Sequence, residues 1–196
     1  MRAPGMTWKK IPLFLWAMYA TSLIQILATP VIAITLFLLF FEKTVGIGIF
    51  DPALGGDPIL FQHFFWFYSH PAVYVMVLPV FGIFSELFPV YARKPLFGYK
   101  FVAVASFGIT ILSLVVWVHH MFYTGTPMWM RNLFMFTTML IAVPTGVKVF
   151  AWIATLWGGN LRLSTPMLFC LGGLFNFIFG GITGVMLATV PVDIHV

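Results

Sequence analysis

Charge and cysteine are what this chain has least of. Among its 196 residues are ten basic and five acidic side chains, 8% in all, and one cysteine, Cys170. A soluble domain carries about 25% charged residues. So small a supply cannot cover a globule with a solvated shell. The single thiol excludes a disulfide scaffold and any paired-cysteine motif. Disorder is excluded too, because it needs low hydrophobicity and high charge. The net charge of +5 is no nucleic-acid footprint, since the cations fall in short separate clusters. The opening, Met1-Arg-Ala-Pro-Gly-Met-Thr-Trp-Lys-Lys10, lacks the n-region, h-region and cleavage site of a secretory signal.

What the chain has is apolar length. Hydrophobic residues make up 61%, and mean hydropathy is +1.03. Ile11–Phe41 holds no charge in 31 residues, Pro58–Ser85 none in 28, Phe101–Met130 none in 30 and Leu163–Val192 none in 30. Asn132–Leu161 holds only Lys148. A helix needs about 20 apolar residues to cross a bilayer, whereas barrel strands are about ten residues with alternation. The pattern predicts an all-α membrane protein with five spans, roughly 12–41, 59–88, 101–123, 132–157 and 166–190, in one unit over 1–196. The links are short and rich in Gly and Pro: Phe50–Pro58, Ala92–Lys100, Thr124–Pro127 and Gly158–Pro166.

Basic residues set the expected orientation. Arg2, Lys9, Lys10, Arg93, Lys94, Lys100 and Arg162 fall on one side, Lys43 and Arg131 on the other. By the positive-inside rule the N-terminus faces the cytoplasm of a bacterial plasma membrane, or the matrix if the source is mitochondrial.

Polar residues within spans are expensive and point to function. In the second span His70 and Tyr74 are four apart and share a helix face, with Ser85 eleven positions on, nearly aligned and about 16 Å further in. His119 and His120 stand near the outer end of the third. His70 lies about 18 Å into its span and His119 about 27 Å into its own, which runs the opposite way, so both fall in the middle to outer half of the bilayer. A lone intramembrane histidine, whether His63, His70, His119 or His120, is more often a helix–helix hydrogen bonder. Three at matching depth bring a metal site level with that reading, because imidazole is the commonest ligand for copper, zinc and iron, and three nitrogens leave an open position. In the fourth span Thr138 and Thr145 share a face, and Lys148 lies too deep to snorkel, which marks a proton or ion path. Pro144-Thr-Gly146 loosens the helix beside it. The glycines Gly172, Gly173, Gly180, Gly181 and Gly184 are either close-packing seams or room for a large planar cofactor. On these residues alone a channel or transporter with a His/Lys relay also stands open.

Three strings carry a resemblance. Trp66-Phe-Tyr-Ser-His70-Pro-Ala-Val-Tyr74, Trp117-Val-His119-His120-Met-Phe122 and Ala142-Val-Pro-Thr-Gly-Val-Lys148-Val-Phe resemble, in order and spacing, segments of subunit I of the haem–copper oxygen reductases. Met1–Trp8 and Gly180–Gly184 with Asp193 also fit. The resemblance implies that His70, His119 and His120 ligate the copper CuB. It implies that Tyr74 is covalently joined to the His70 ring and gives an electron and a proton to O–O cleavage. Lys148, Thr145 and Ser85 would form a proton path from the inner side. Thr138, Ala142, Thr145, Gly146, Gly181 and Gly184 would line the high-spin haem, and Asp193 would sit near its propionates. The activity implied is reduction of O2 to water coupled to proton pumping in a respiratory chain, with cytochrome c ahead of a quinol as electron donor. The implied partners are the remainder of subunit I and subunits II and III.

Two departures stand out. The family's usual glutamate after His-Pro is Ala72, and Tyr68-Ser69 resembles the subgroup that uses a Tyr-Ser pair instead, so a Tyr68/Ser69 relay is expected. The family chain has about twelve helices, and this one would be helices five to nine. The haem's axial ligands would lie outside this stretch, and the stretch alone would lack complete activity.

Overall fold

The computed structural model describes residues 4–195, and among these every regular element is helical. The helices are α1 (Leu13–Val45), α2 (Pro58–Ala92), α3 (Tyr99–Ser113), α4 (Met128–Leu140), α5 (Ala142–Leu156), α6 (Thr165–Leu187) and α7 (Val190–His195), with 3₁₀ turns at Pro52–Leu54 and Trp117–Met121. Four stretches are long and apolar enough to cross a membrane: α1, α2, α4 with α5 as one run of 29 residues, and α6. The all-α membrane class expected from composition holds.

The third expected span is corrected. It is not one helix over 101–123: α3 ends at Ser113, and the rest is a turn followed by the 3₁₀ segment. Val115-Val116 is β-branched and stiff at χ1, which weakens a helix there. The Leu114 and Val115 amides close back only three residues, onto Ile111 and Leu112, at 3.3 and 3.0 Å. The Val115 carbonyl is then taken by Thr137 Oγ1 of α4 at 2.8 Å. His119 and His120 are therefore not on an α-helix but on a 3₁₀ turn, whose three residues per turn set successive side chains about 120° apart.

α2 is the central element. Asp57 starts it by accepting from the Ile59 amide at 2.8 Å, ahead of Pro58 at the first turn. One stripe, His70, Leu78, Phe81, Ser85, Phe88 and Ala92, is buried along its length. α1 packs beside it through Ala17, Ala20, Ile24 and Ala28. The approach is close, since a Cβ on Gly82 would meet Ala17 Cβ and Phe14 Cα at 3.0 Å. Small residues permit such contact where lipid supplies no hydrophobic drive between helices. Trp152 of α5 is fully buried among Phe81, Phe84 and Phe88, and its indole N–H donates to Ser85 Oγ at 3.0 Å.

The break between α4 and α5 has a covalent cause. Pro144 has no N–H to give the Leu140 carbonyl, and its ring crowds that group. The irregular residue is Ile141. The loosening expected around Pro144-Thr-Gly146 thus appears one turn upstream. In the last turn of α1, Glu42 is buried and its Oε2 accepts the amides of Ile49, Phe50 and Asp51 on the following link at 2.9, 2.6 and 2.9 Å. That anchoring holds the entry to α2, and α2 carries His70.

Candidate metal centre and cofactor cavity

α2 and the 3₁₀ turn bring three histidines together. His70 Nδ1 lies 3.1 Å from His120 Nε2, and His119 Nε2 lies 3.0 Å from His120 Nε2. One nitrogen from each of the three fits within a 4.8 Å set. The donor set is all imidazole, which suits copper, zinc or iron. His119 and His120 leave the turn in different directions, and their rings converge so that the two Nε2 atoms meet at 3.0 Å.

The surroundings orient these rings. His119 Nδ1 is 2.9 Å from Thr138 Oγ1 on α4. Metal-bound histidines usually use the far nitrogen this way, which fixes the tautomer and ring plane. The Trp66 ring stacks on His120, centroids 4.0 Å apart and 12° between planes. His70 is 7% exposed, and its Nε2 is buried with no hydrogen-bond partner in the protein. The Tyr74 ring is one turn away, centroids 4.7 Å apart. His63 stands apart: it accepts from Trp117 Nε1 at 3.3 Å and is a helix-to-turn hydrogen bonder.

Beside the triad is a cavity of about 950 Å³. Tyr74, Val77 and Phe81 of α2, His119 and His120, and a wall from α4, α5 and α6 line it. Every residue expected to line a cofactor is in that lining: Thr138, Ala142, Thr145, Gly146, Gly181, Gly184 and Asp193. The two readings of the glycines separate here. A Cβ on Gly173 would strike the Phe84 ring at 2.7 Å, so Gly173 is a packing position. A Cβ on Gly146, Gly180, Gly181 or Gly184 would meet nothing within 4 Å, so those four hold space open.

The residues of the expected proton path are less continuous. Lys148 is 1% exposed, as its depth in the span required. Its Nζ does not bond Thr145 or Ser85. It donates to Ser106 Oγ at 2.7 Å and to the Val102 carbonyl at 3.2 Å, both on α3. Thr145 Oγ1 donates to the Ile141 carbonyl at 2.8 Å, and Ser85 Oγ to the Phe81 carbonyl at 2.7 Å. Tyr68 and Ser69 are half-buried and lie outside the cavity lining, Tyr68 packing against the main core.

Sequence reasoning missed Ser106, and it saw Thr138 only as a cavity residue. Ser106 had a signal: Ser106, Thr110 and Ser113 put hydroxyls at spacings of four and three in a run without charge. The partnership of Thr138 with His119 had none, because nothing local links a helix to a turn 19 residues earlier.

Comparison with known proteins agrees with this geometry. The profile of the family described as "Cytochrome C and Quinol oxidase polypeptide I" matches residues 1–196. The chain is 55% identical over 196 residues to cytochrome c oxidase subunit 1 of Thermostichus vulcanus, covering 100% of this chain and 36% of that one. It is 57% identical over 196 residues to the subunit 1 of a Synechocystis species, again 100% of this chain and 36% of the relative. It is 49% identical over 193 residues to that of Cereibacter sphaeroides, 98% of this chain and 34% of the relative. The chain thus spans about a third of the length of these relatives. The relatives it matches are named oxidase subunits, not channels or transporters. On this match over residues 1–196 the chain belongs to the cytochrome c and quinol oxidase polypeptide I family.

Proposed function

We propose that this chain builds the oxygen-reducing site of a terminal respiratory oxidase, with His70, His119 and His120 holding the copper CuB and the adjoining cavity taking the high-spin haem. The observation that carries the reading is the convergence of three imidazoles on the wall of a cavity that four glycines hold open. The residues fit both groups. The ligands are nitrogens only, with the cavity on their open side. The cavity is of the size that takes a large cofactor. The remainder of the subunit would supply the protein ligand to the haem iron.

When bound, the two metal groups supply the electron transfer that reduces O2 to water. The chain's own residues do the rest. Thr138 holds His119 in one orientation. Tyr74 presents its phenol to the cavity and donates a proton and an electron there. His70 Nε2, buried and without a partner one turn from Tyr74, is the atom free for the covalent link to that ring; the new bond replaces one hydrogen on each ring, with O2 as oxidant. Lys148, Thr145 and Ser85 bring protons from the inner side. Tyr68 and Ser69 relay protons where Ala72 replaces an acid. Asp193 lines the cavity and would face the haem propionates. The N-terminus lies on the cytoplasmic side, proton pumping accompanies turnover, cytochrome c gives the electrons, and subunits II and III complete the complex.

The test is metal content. In the full-length subunit within its complex, His119→Ala should remove one copper per complex, read by atomic spectrometry, and leave the haem in place. Unchanged copper would overturn the ligand assignment. The peptide holding His70 and Tyr74 should weigh less than its sequence mass by the two hydrogens lost. A peptide at full mass would overturn the link.

A further inference from the structure

We propose that Ser106 is a positioning residue for Lys148: its hydroxyl and the Val102 carbonyl form the dock in which the lysine amine rests between proton transfers. The inference rests on the reading of Lys148 as part of the proton path.

The dock is a closed triangle. Lys148 Nζ donates to Ser106 Oγ at 2.7 Å and to the Val102 carbonyl at 3.2 Å, while Ser106 Oγ donates its own proton to that carbonyl at 3.2 Å. The serine proton is spent on the carbonyl, so the serine oxygen faces the amine as an acceptor. Lys148 and Ser106 are each 1% exposed, so no bulk water competes for the amine. The Phe81 ring is 5.9 Å from Nζ and adds a weak cation–π contact.

The dock faces away from the cavity. On α5, Thr145, Gly146 and Val149 line the cavity, but Lys148 does not. Its amine is turned to α3, so carrying a proton to the cavity requires leaving Ser106. The dock itself does not move with it. Thr110 Oγ1 donates to both the Ser106 and the Ala20 carbonyls, at 3.1 and 3.3 Å, tying this turn of α3 to α1. α5 comes close to the same stretch of α3, since a Cβ on Gly108 would meet Pro144 Cβ at 3.3 Å.

The chemistry of the dock suits release. Among the described residues no carboxylate forms an ion pair with Lys148. A buried ammonium paired to a carboxylate is costly to separate, because each charge is then left uncompensated. A hydroxyl and a carbonyl satisfy the amine's donors as neutral dipoles and let it go at lower cost. A purely structural bridge between α3 and α5 would need no ionisable group at all, and would avoid its desolvation.

The experiment uses the full-length subunit in its complex and compares steady-state O2 uptake. Ser106→Ala and Ser106→Cys should each slow turnover about tenfold, because one lost hydrogen bond to the charged amine lowers the share of Lys148 that takes up its proton at the dock. Ser106→Thr, which keeps the hydroxyl, should restore most of the rate. In a Lys148→Met background Ser106→Ala should slow nothing further, and the melting midpoint of the complex should stay near that of the parent. Full turnover in both Ser106→Ala and Ser106→Cys would overturn the dock. So would equal slowing with and without Lys148, which is the mark of a packing role. If Lys148→Met itself turns over at the parent rate, the proton-path reading fails instead. If Ser106→Ala does not assemble, Ser106→Cys, close to serine in size and a poor acceptor, decides.

Discussion

His70 Nδ1 and His120 Nε2 lie 3.1 Å apart although 50 positions separate the two residues. The contact depends on α2 packing directly on the 3₁₀ turn that follows α3. It depends equally on α3 stopping at Ser113, so that the chain turns and presents His120 sideways.

Thr138 supports that contact from the third side. Thr138→Val removes the partner of His119 Nδ1 and keeps the side chain's shape. Loss of such an outer partner costs about 10–100-fold in metal affinity. Copper retained by the complex against a graded chelator should fall by that factor, with Thr138→Ser close to the parent.

His63 is the control among the histidines. It shares α2 with His70 but accepts from Trp117. His63→Gln should leave copper content unchanged in the assay that reads His119→Ala. A lost copper would place His63 in the metal site and contradict the geometry.

The glycines of α6 should divide by substitution. Gly181→Leu places a side chain in open cavity space and should prevent haem incorporation, read as loss of the haem absorbance from a complex that still assembles. Gly173→Leu should act differently. Its Cβ falls 2.7 Å from the Phe84 ring, so α6 must move from α2. Overpacking of this kind costs about 1–3 kcal/mol, and a lowered melting midpoint should report it.

Lys94 closes the C-terminal end of α5. Its Nζ donates to the carbonyls of Ala154 and Trp157 at 2.9 and 2.7 Å, a cation on the negative end of a helix. Lys94→Met should destabilise the complex by about 1 kcal/mol and loosen the link from Gly158 onward, measured by thermal melting and by faster hydrogen exchange in α5. Lys94→Arg should recover part of that loss.

The membrane class, four of the five spans and the candidate residues were legible in the sequence, for one reason. In a bilayer every backbone polar group must be satisfied within the segment, so long charge-free runs have to be helices, and any polar residue inside them stands out. His70, His119, His120, Tyr74 and Lys148 announced themselves in that way, and Thr138, Thr145, Gly181 and Gly184 fell on the cavity as expected. Other features depend on distances between segments, which no local pattern encodes. The break at Ser113 turns on Thr137 reaching the Val115 carbonyl from another helix. Gly173 and Gly181 look alike in the chain, yet only Phe84 across the interface makes one a contact and the other a void. Lys148 had to be buried and polar-solvated at its depth. That its amine turns to Ser106 rather than toward Thr145 and the cavity was decided by the close packing of α3 on α5, because a buried ammonium goes to whichever acceptors the tertiary structure sets within its reach.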